Sequence, residues 1–159
     1  IRRHAGLMLD TYERMARGPA IVFGTLSGER HELGLLLSAL FAASRGFRCH
    51  YLGPDLPPDE LARYAGRVQA AAVAISVVLA SDQRALVREI ERLAAGIGPQ
   101  VRILIGGGAA GGLAASELPA QCALLADQIQ FKEQLNLLSD ARTRSRDREP
   151  QHAVANSLP

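Results

Sequence analysis

Apolar residues along this chain come in two alternating spacings. Short unbroken runs, Ala20–Thr25, Phe47–Leu52, Ala70–Val78, Val101–Ile105 and Ala123–Ala126, read as strands buried on both faces. Between and after them, in Leu33–Ser44, Pro58–Val68, Asp82–Ala95, Gly111–Leu118 and Gln128–Asp140, apolar residues recur at helical spacing. Gly46, Gly53-Pro54, Gly98-Pro99 and the glycines between 106 and 112 mark the turns. Strand and helix signals in alternation predict an α/β domain, a five-stranded parallel sheet wound with helices on both faces. Leu7, Met8, Leu9, Tyr12 and Met15 stand among charges in Ile1–Arg17, which suits an amphipathic helix ended by Gly18-Pro19. The domain proper is expected over residues 18–140. Beyond it, Arg142, Arg144, Arg146 and Arg148 alternate with small polar or acidic residues. Residues 141–159 are therefore expected to be a disordered tail, since they offer no apolar face to offset ordering.

Composition narrows the picture further. In 159 residues, 48% are hydrophobic but only 4% aromatic, so Ala, Val, Leu and Ile must build the core. A net charge of +2 gives no general argument for nucleic acid. No run approaches the roughly 18 apolar residues of a bilayer span, so no membrane partner is expected. Cys49 and Cys122 make no disulfide framework, which favours reduced thiols and a cytoplasmic setting. Ile1 is not a natural start, and the chain is read as a fragment or processed product.

The candidate chemistry lies where strands hand over to helices, the edge at which open α/β sheets bind ligands. Glu29-Arg30-His31-Glu32-Leu33-Gly34 follows the first strand and opens the first long helix. An acid two residues before a histidine can fix the imidazole tautomer and make the ring a better metal ligand. Gly34 leaves room for a ligand to approach. Ser76-Val77-Val78 ends the third strand, and Gly106-Gly107-Gly108 ends the fourth. Acid-x-His-x-x-Gly, Ser-x-Val in place of Ser-x-Leu, and the glycine run resemble, in order and spacing, the signature of cobalamin-binding domains. The likeness covers roughly residues 18–140.

That resemblance implies a flavodoxin-like, doubly wound sheet of strand order 2-1-3-4-5. It also implies cobalamin bound base-off, with His31 as the lower cobalt ligand and Glu29 hydrogen bonded to it. Ser76 would hydrogen bond the buried base or its linker. Val78 and Gly34 would border the site, while side-chain-free backbone at Gly106, Gly107 and Gly108 would let the flat base slide into an apolar slot. Ser27 and Thr25 would meet the tail phosphate or corrin amides. Leu36, Leu37 and Leu40 read first as core and second as a wall of that slot.

Other apparent sites are weaker. Cys49-His50 alternate in a strand without further ligand spacing, so packing is preferred. The glycines from 106 to 112 make no dinucleotide fingerprint, and Asp82, Glu89 and Glu91 read as solvated helix surface.

Gly28–Gly34 together with Tyr51–Pro57 is most similar to the cobalamin domain of light-responsive transcriptional regulators. The implied reading is a sensory, non-enzymatic domain that favours adenosylcobalamin. Ile1–Arg17 would end an upstream helical bundle, and the full protein would carry a DNA-binding domain and self-associate. The bundle of that family supplies a Trp and a Glu-His pair above the cofactor, whereas this chain has no Trp and has Arg3-His4. Two alternatives stand beside this reading: a corrinoid carrier for methyl transfer, and a haem-binding redox sensor on the same fold.

Overall fold

In the computed structural model, residues 7–9, 11, 12, 15–79 and 82–148 are described. Five strands, β1 (Ala20–Leu26), β2 (Arg48–Leu56), β3 (Ala72–Ser76), β4 (Arg102–Gly106) and β5 (Cys122–Leu124), form one sheet in the order β2-β1-β3-β4-β5. Every pairing is parallel. The helices α1 (Leu33–Ser44), α2 (Pro58–Arg67), α3 (Gln83–Ile97) and α4 (Gln128–Arg148) cover it. The fold is the flavodoxin-like doubly wound one expected from the sequence.

Two apolar layers follow from the alternation of side chains along each strand. Ile21, Phe23, Ala72, Ala74 and Leu104 face α1 and α4, where they meet Leu35, Ala39, Phe131 and Leu135. Val22, Val73, Ile75, Ile103 and Ile105 face α2 and α3, against Leu61, Ala65, Ile90 and Leu93. All seven residues of β1 are buried, as a central strand with helices on both sides requires. Small residues let the helices close in: a Cβ on Gly96 of α3 would stand 2.7 Å from the Ala62 methyl of α2. Asp82 caps α3 by accepting from the Ala85 amide at 3.0 Å, so it is more than the solvated helix surface expected.

Three expectations need correction. Gly111–Leu118 is not an α-helix but two 3₁₀ turns, Ala110–Gly112 and Ala115–Glu117. Paired glycines cost too much backbone entropy to sustain a longer helix there. The last helix does not stop at Asp140 but runs to Arg148, so residues 141–148 are helical and not part of a disordered tail. Ala and Arg are strong helix formers, and neither Gly nor Pro interrupts residues 141–148. Leu37, read as core, is 54% exposed, whereas Leu36 is buried and Leu40 half-buried.

At the amino terminus, Leu7–Leu9, Thr11, Tyr12 and Met15 are helical. Leu9 and Tyr12 pack on the α1–α4 layer. Arg3, His4 and residues 149–159 lie outside the described residues, and so do the parts of both terminal expectations that rest on them. Among the described residues no helix is long and apolar enough to cross a membrane.

Candidate functional site

Strand order reverses between β1 and β3, so the loops leaving their carboxyl ends diverge and open a crevice between them. The loop after β1 carries Glu29 and His31; the loop after β3 carries Val77, Val78 and Leu79. Glu29 joins the two loops. One carboxylate oxygen accepts from the His31 amide at 2.8 Å and pairs with His31 Nδ1 at 2.7 Å. The other accepts from the amides of Val78 at 2.8 Å and Leu79 at 2.9 Å.

This geometry fixes the charge on Glu29. Its burial pushes the pKa up, but the amides of Leu79, His31 and Val78 and the His31 ring outweigh that and hold it down at about 2. An ionised carboxylate facing Nδ1 favours the neutral tautomer that carries its proton there, with the lone pair on Nε2. The His31 side chain is 56% exposed, against 8% for Glu29. A buried anion thus orients an accessible imidazole.

Beside this pair, a cavity of about 210 Å³ opens between the sheet and the starts of α1 and α4. Gly34, Ser76, Gly106 and Gly107, drawn from three separate motifs, share its wall with Leu35, Ile75, Leu104 and Phe131. Ser76 is buried. A Cβ on Gly34 or Gly106 would meet nothing within 4 Å. The volume is below the 300–1,000 Å³ usual for a whole drug-sized ligand, so it suits one flat ring or tail inserted from above.

Gly107 has a different task. Its φ is +104°, and a Cβ there would lie 2.3 Å from the Val77 carbonyl oxygen. The missing side chain lets the β4 loop hydrogen bond to the β3 loop, through Val77 N to Gly106 O at 2.8 Å and Ala109 N to Val77 O at 3.0 Å.

The remaining candidates separate. Gly108 is exposed and does not line the cavity, and Ser27 is exposed on the turn after β1. Val78 contributes its backbone amide to Glu29, not a side chain to the cavity. Thr25 is fully buried and donates its hydroxyl to the Glu29 carbonyl, so it is not turned toward a ligand phosphate. Cys49 is buried in the core, and His50 stacks edge-on to Tyr64 at 5.7 Å, in keeping with packing.

Sequence reasoning missed the contribution of α4. Asp127 caps this helix by accepting from the amides of Ile129 and Gln130, and Gln128 Nε2 lies 3.2 Å from Ser38 Oγ of α1. Together they close one side of the cavity. An Asp immediately before a helical run was the available signal.

Among the described residues, no group of three or more His, Cys, Asp or Glu could hold a metal ion. One imidazole cannot retain a bare cation, but it can complete the shell of a metal brought in by a macrocycle. The donor set and the cavity together fit such a cofactor with a ring-bearing tail.

Comparisons with known proteins agree. A family model described as the B12 binding domain matches residues 19–129. Dimethylamine corrinoid protein 2 of Methanosarcina mazei is 29% identical over 103 residues, which is 64% of this chain and 48% of that protein. The dimethylamine corrinoid protein of Methanosarcina barkeri matches to the same extent. The chain spans about half the length of these curated relatives. Among solved structures, a methanol:cobalamin methyltransferase complex of Methanosarcina barkeri aligns with TM-score 0.65 and 15% identity, over 84% of this chain and 52% of that one. The monomethylamine corrinoid protein of the same organism aligns with TM-score 0.61 and 15% identity, over 83% and 64%. At such identities these two likenesses speak for the fold.

Proposed function

We propose, from the premise that this chain belongs to the B12-binding domain family, that it is a corrinoid carrier in methyl transfer with His31 as the lower cobalt ligand. The observation that carries the reading is the Glu29–His31 pair, set beside a cavity lined by Gly34, Ser76 and Gly106. Cobalamin, when bound, supplies a cobalt centre that accepts and donates methyl groups. Glu29 keeps His31 Nδ1 protonated and Nε2 ready for cobalt. Gly34 and Gly106 leave the cavity open to the displaced base, with Ser76 on its wall to hydrogen bond that base or its linker. In this reading methyl donor and acceptor would be presented to the bound cofactor by partner proteins.

The curated relatives named above are dimethylamine corrinoid proteins, and this favours a carrier over a regulator. The light-responsive regulator stands second, on the likeness of Gly28–Gly34 and Tyr51–Pro57, with a preference for adenosylcobalamin as its mark. Haem ranks below both, because it has no nucleotide tail and would leave the cavity unfilled.

The deciding experiment loads the chain with cobalamin and mixes it with a methyltransferase of the corrinoid-dependent kind and an isotopically labelled methyl donor. Label on the chain-bound cofactor supports the carrier. Failure to take up label, together with tighter binding of adenosylcobalamin and a change in mass on illumination, supports the regulator.

A further inference from the structure

The end of β2 departs from regular strand geometry. Gly53 has φ +100° and Asp55 φ +60°, and the register of β2 against β1 slips after Phe23 and again after Gly24. Left-handed backbone at a residue other than glycine is costly and persists only where its surroundings hold it, often at functional sites. Here the surroundings are the loop that carries His31. Asp55 Oδ1 accepts from the Gly28 amide at 2.8 Å. The Asp55 amide donates to Thr25 Oγ1 at 2.9 Å and to the Glu29 carbonyl at 3.2 Å, and Thr25 donates its hydroxyl to that same carbonyl. Glu29 is therefore gripped on its backbone by Asp55 and Thr25, while its carboxylate grips His31.

We infer that Asp55 is a positioning residue for cobalt ligation: its strained turn and its carboxylate set the Glu29 backbone, and through it the His31 ring, before the cofactor arrives. This deepens the proposed function and rests on His31 being the axial ligand. The side chain and the strain play separable parts. Oδ1 orders the Gly28 end of the loop, whereas the left-handed backbone brings the Asp55 amide to the Glu29 carbonyl. Glycine at 55 would keep that backbone without strain but lose Oδ1, and Asn would keep an acceptor oxygen in place.

The test compares the whole chain with its Asp55→Gly and Asp55→Asn variants, each loaded with cobalamin at neutral pH. Melting temperature, cofactor dissociation constant and the His-ligated fraction, read from the absorption spectrum, are measured for all three. Asp55→Gly should melt within a few degrees of the parent, yet show about tenfold weaker ligation, as loss of an outer-shell partner does at metal sites. Asp55→Asn should restore most of the His-ligated fraction. If Asp55→Gly ligates as well as the parent while the parent is plainly His-ligated, the inference is overturned and the proposed function survives. A parent with no His-ligated spectrum overturns both. If both variants lose stability and ligation in the same proportion, Asp55 is structural only, and the inference fails.

Discussion

Glu29 and His31 lie two residues apart and meet twice, through the His31 amide at 2.8 Å and the ring Nδ1 at 2.7 Å. The carboxylate therefore orders both backbone and ring of the residue it serves, and its pKa of about 2 leaves it ionised at every physiological pH.

A pH dependence follows. The folded-state pKa of Glu29 is depressed from 4.5 to about 2, so its contribution to stability is present above pH 4.5 and is lost as pH falls toward 2. A shift of this size corresponds to about 3 kcal/mol at neutral pH. Urea unfolding of the chain without cofactor should show this loss between pH 4.5 and 2, over and above that of the other carboxylates. Glu29→Gln cannot accept from all four donors, so it should be about 2 kcal/mol less stable at neutral pH and show a shallower acid limb. An acid limb identical to the parent's would mean that these hydrogen bonds do not hold the carboxyl down.

The glycines at 106 and 107 should respond in opposite ways. Gly107→Ala meets the Val77 backbone at 2.3 Å and keeps a strained φ, so it should destabilise the fold by about 2 kcal/mol or more. Gly106→Leu places its side chain in open space on the cavity wall and should leave the melting temperature nearly unchanged while weakening cobalamin binding. Thermal melts and cofactor titration separate the two. Tight cobalamin binding by a folded Gly106→Leu variant would put the nucleotide tail elsewhere.

Among the described side chains of α4, the last buried one is Leu138. A chain ending at Asp140 should keep it and lose less than about 1 kcal/mol of stability, because residues 141–144 are exposed or half-exposed. A fall in melting temperature of ten degrees or more would show that the last helical turns bear on the core.

Much of this architecture was legible because it rests on local pattern. Leu33–Ser44 was bounded to the residue, and strand order came with the family likeness. The bond between Glu29 and His31 was readable from their two-residue spacing. What escaped depends on contacts distant in sequence. Gly107 read as a slot for a ligand until the position of Val77, thirty residues away, showed why no side chain fits. Thr25 read as a ligand contact because nothing in a sequence reveals that Asp55 and Glu29 already occupy its hydroxyl. The extension of α4 to Arg148 was lost by equating the end of an apolar period with the end of a helix.

The central claim is that a nitrogen of this chain, and not the cofactor's own base, binds cobalt. Electron paramagnetic resonance of the chain loaded with cobalamin in its cobalt(II) state tests it most directly, using protein labelled uniformly with nitrogen-15 and unlabelled cofactor. The unpaired electron couples to the axial nitrogen, and the line pattern reports whether that nucleus has the spin of nitrogen-14 or nitrogen-15. Ligation by His31 predicts doublet splitting in the labelled protein, lost in His31→Ala. Triplet splitting that persists in labelled protein would mean that the base remains on cobalt and would contradict the account.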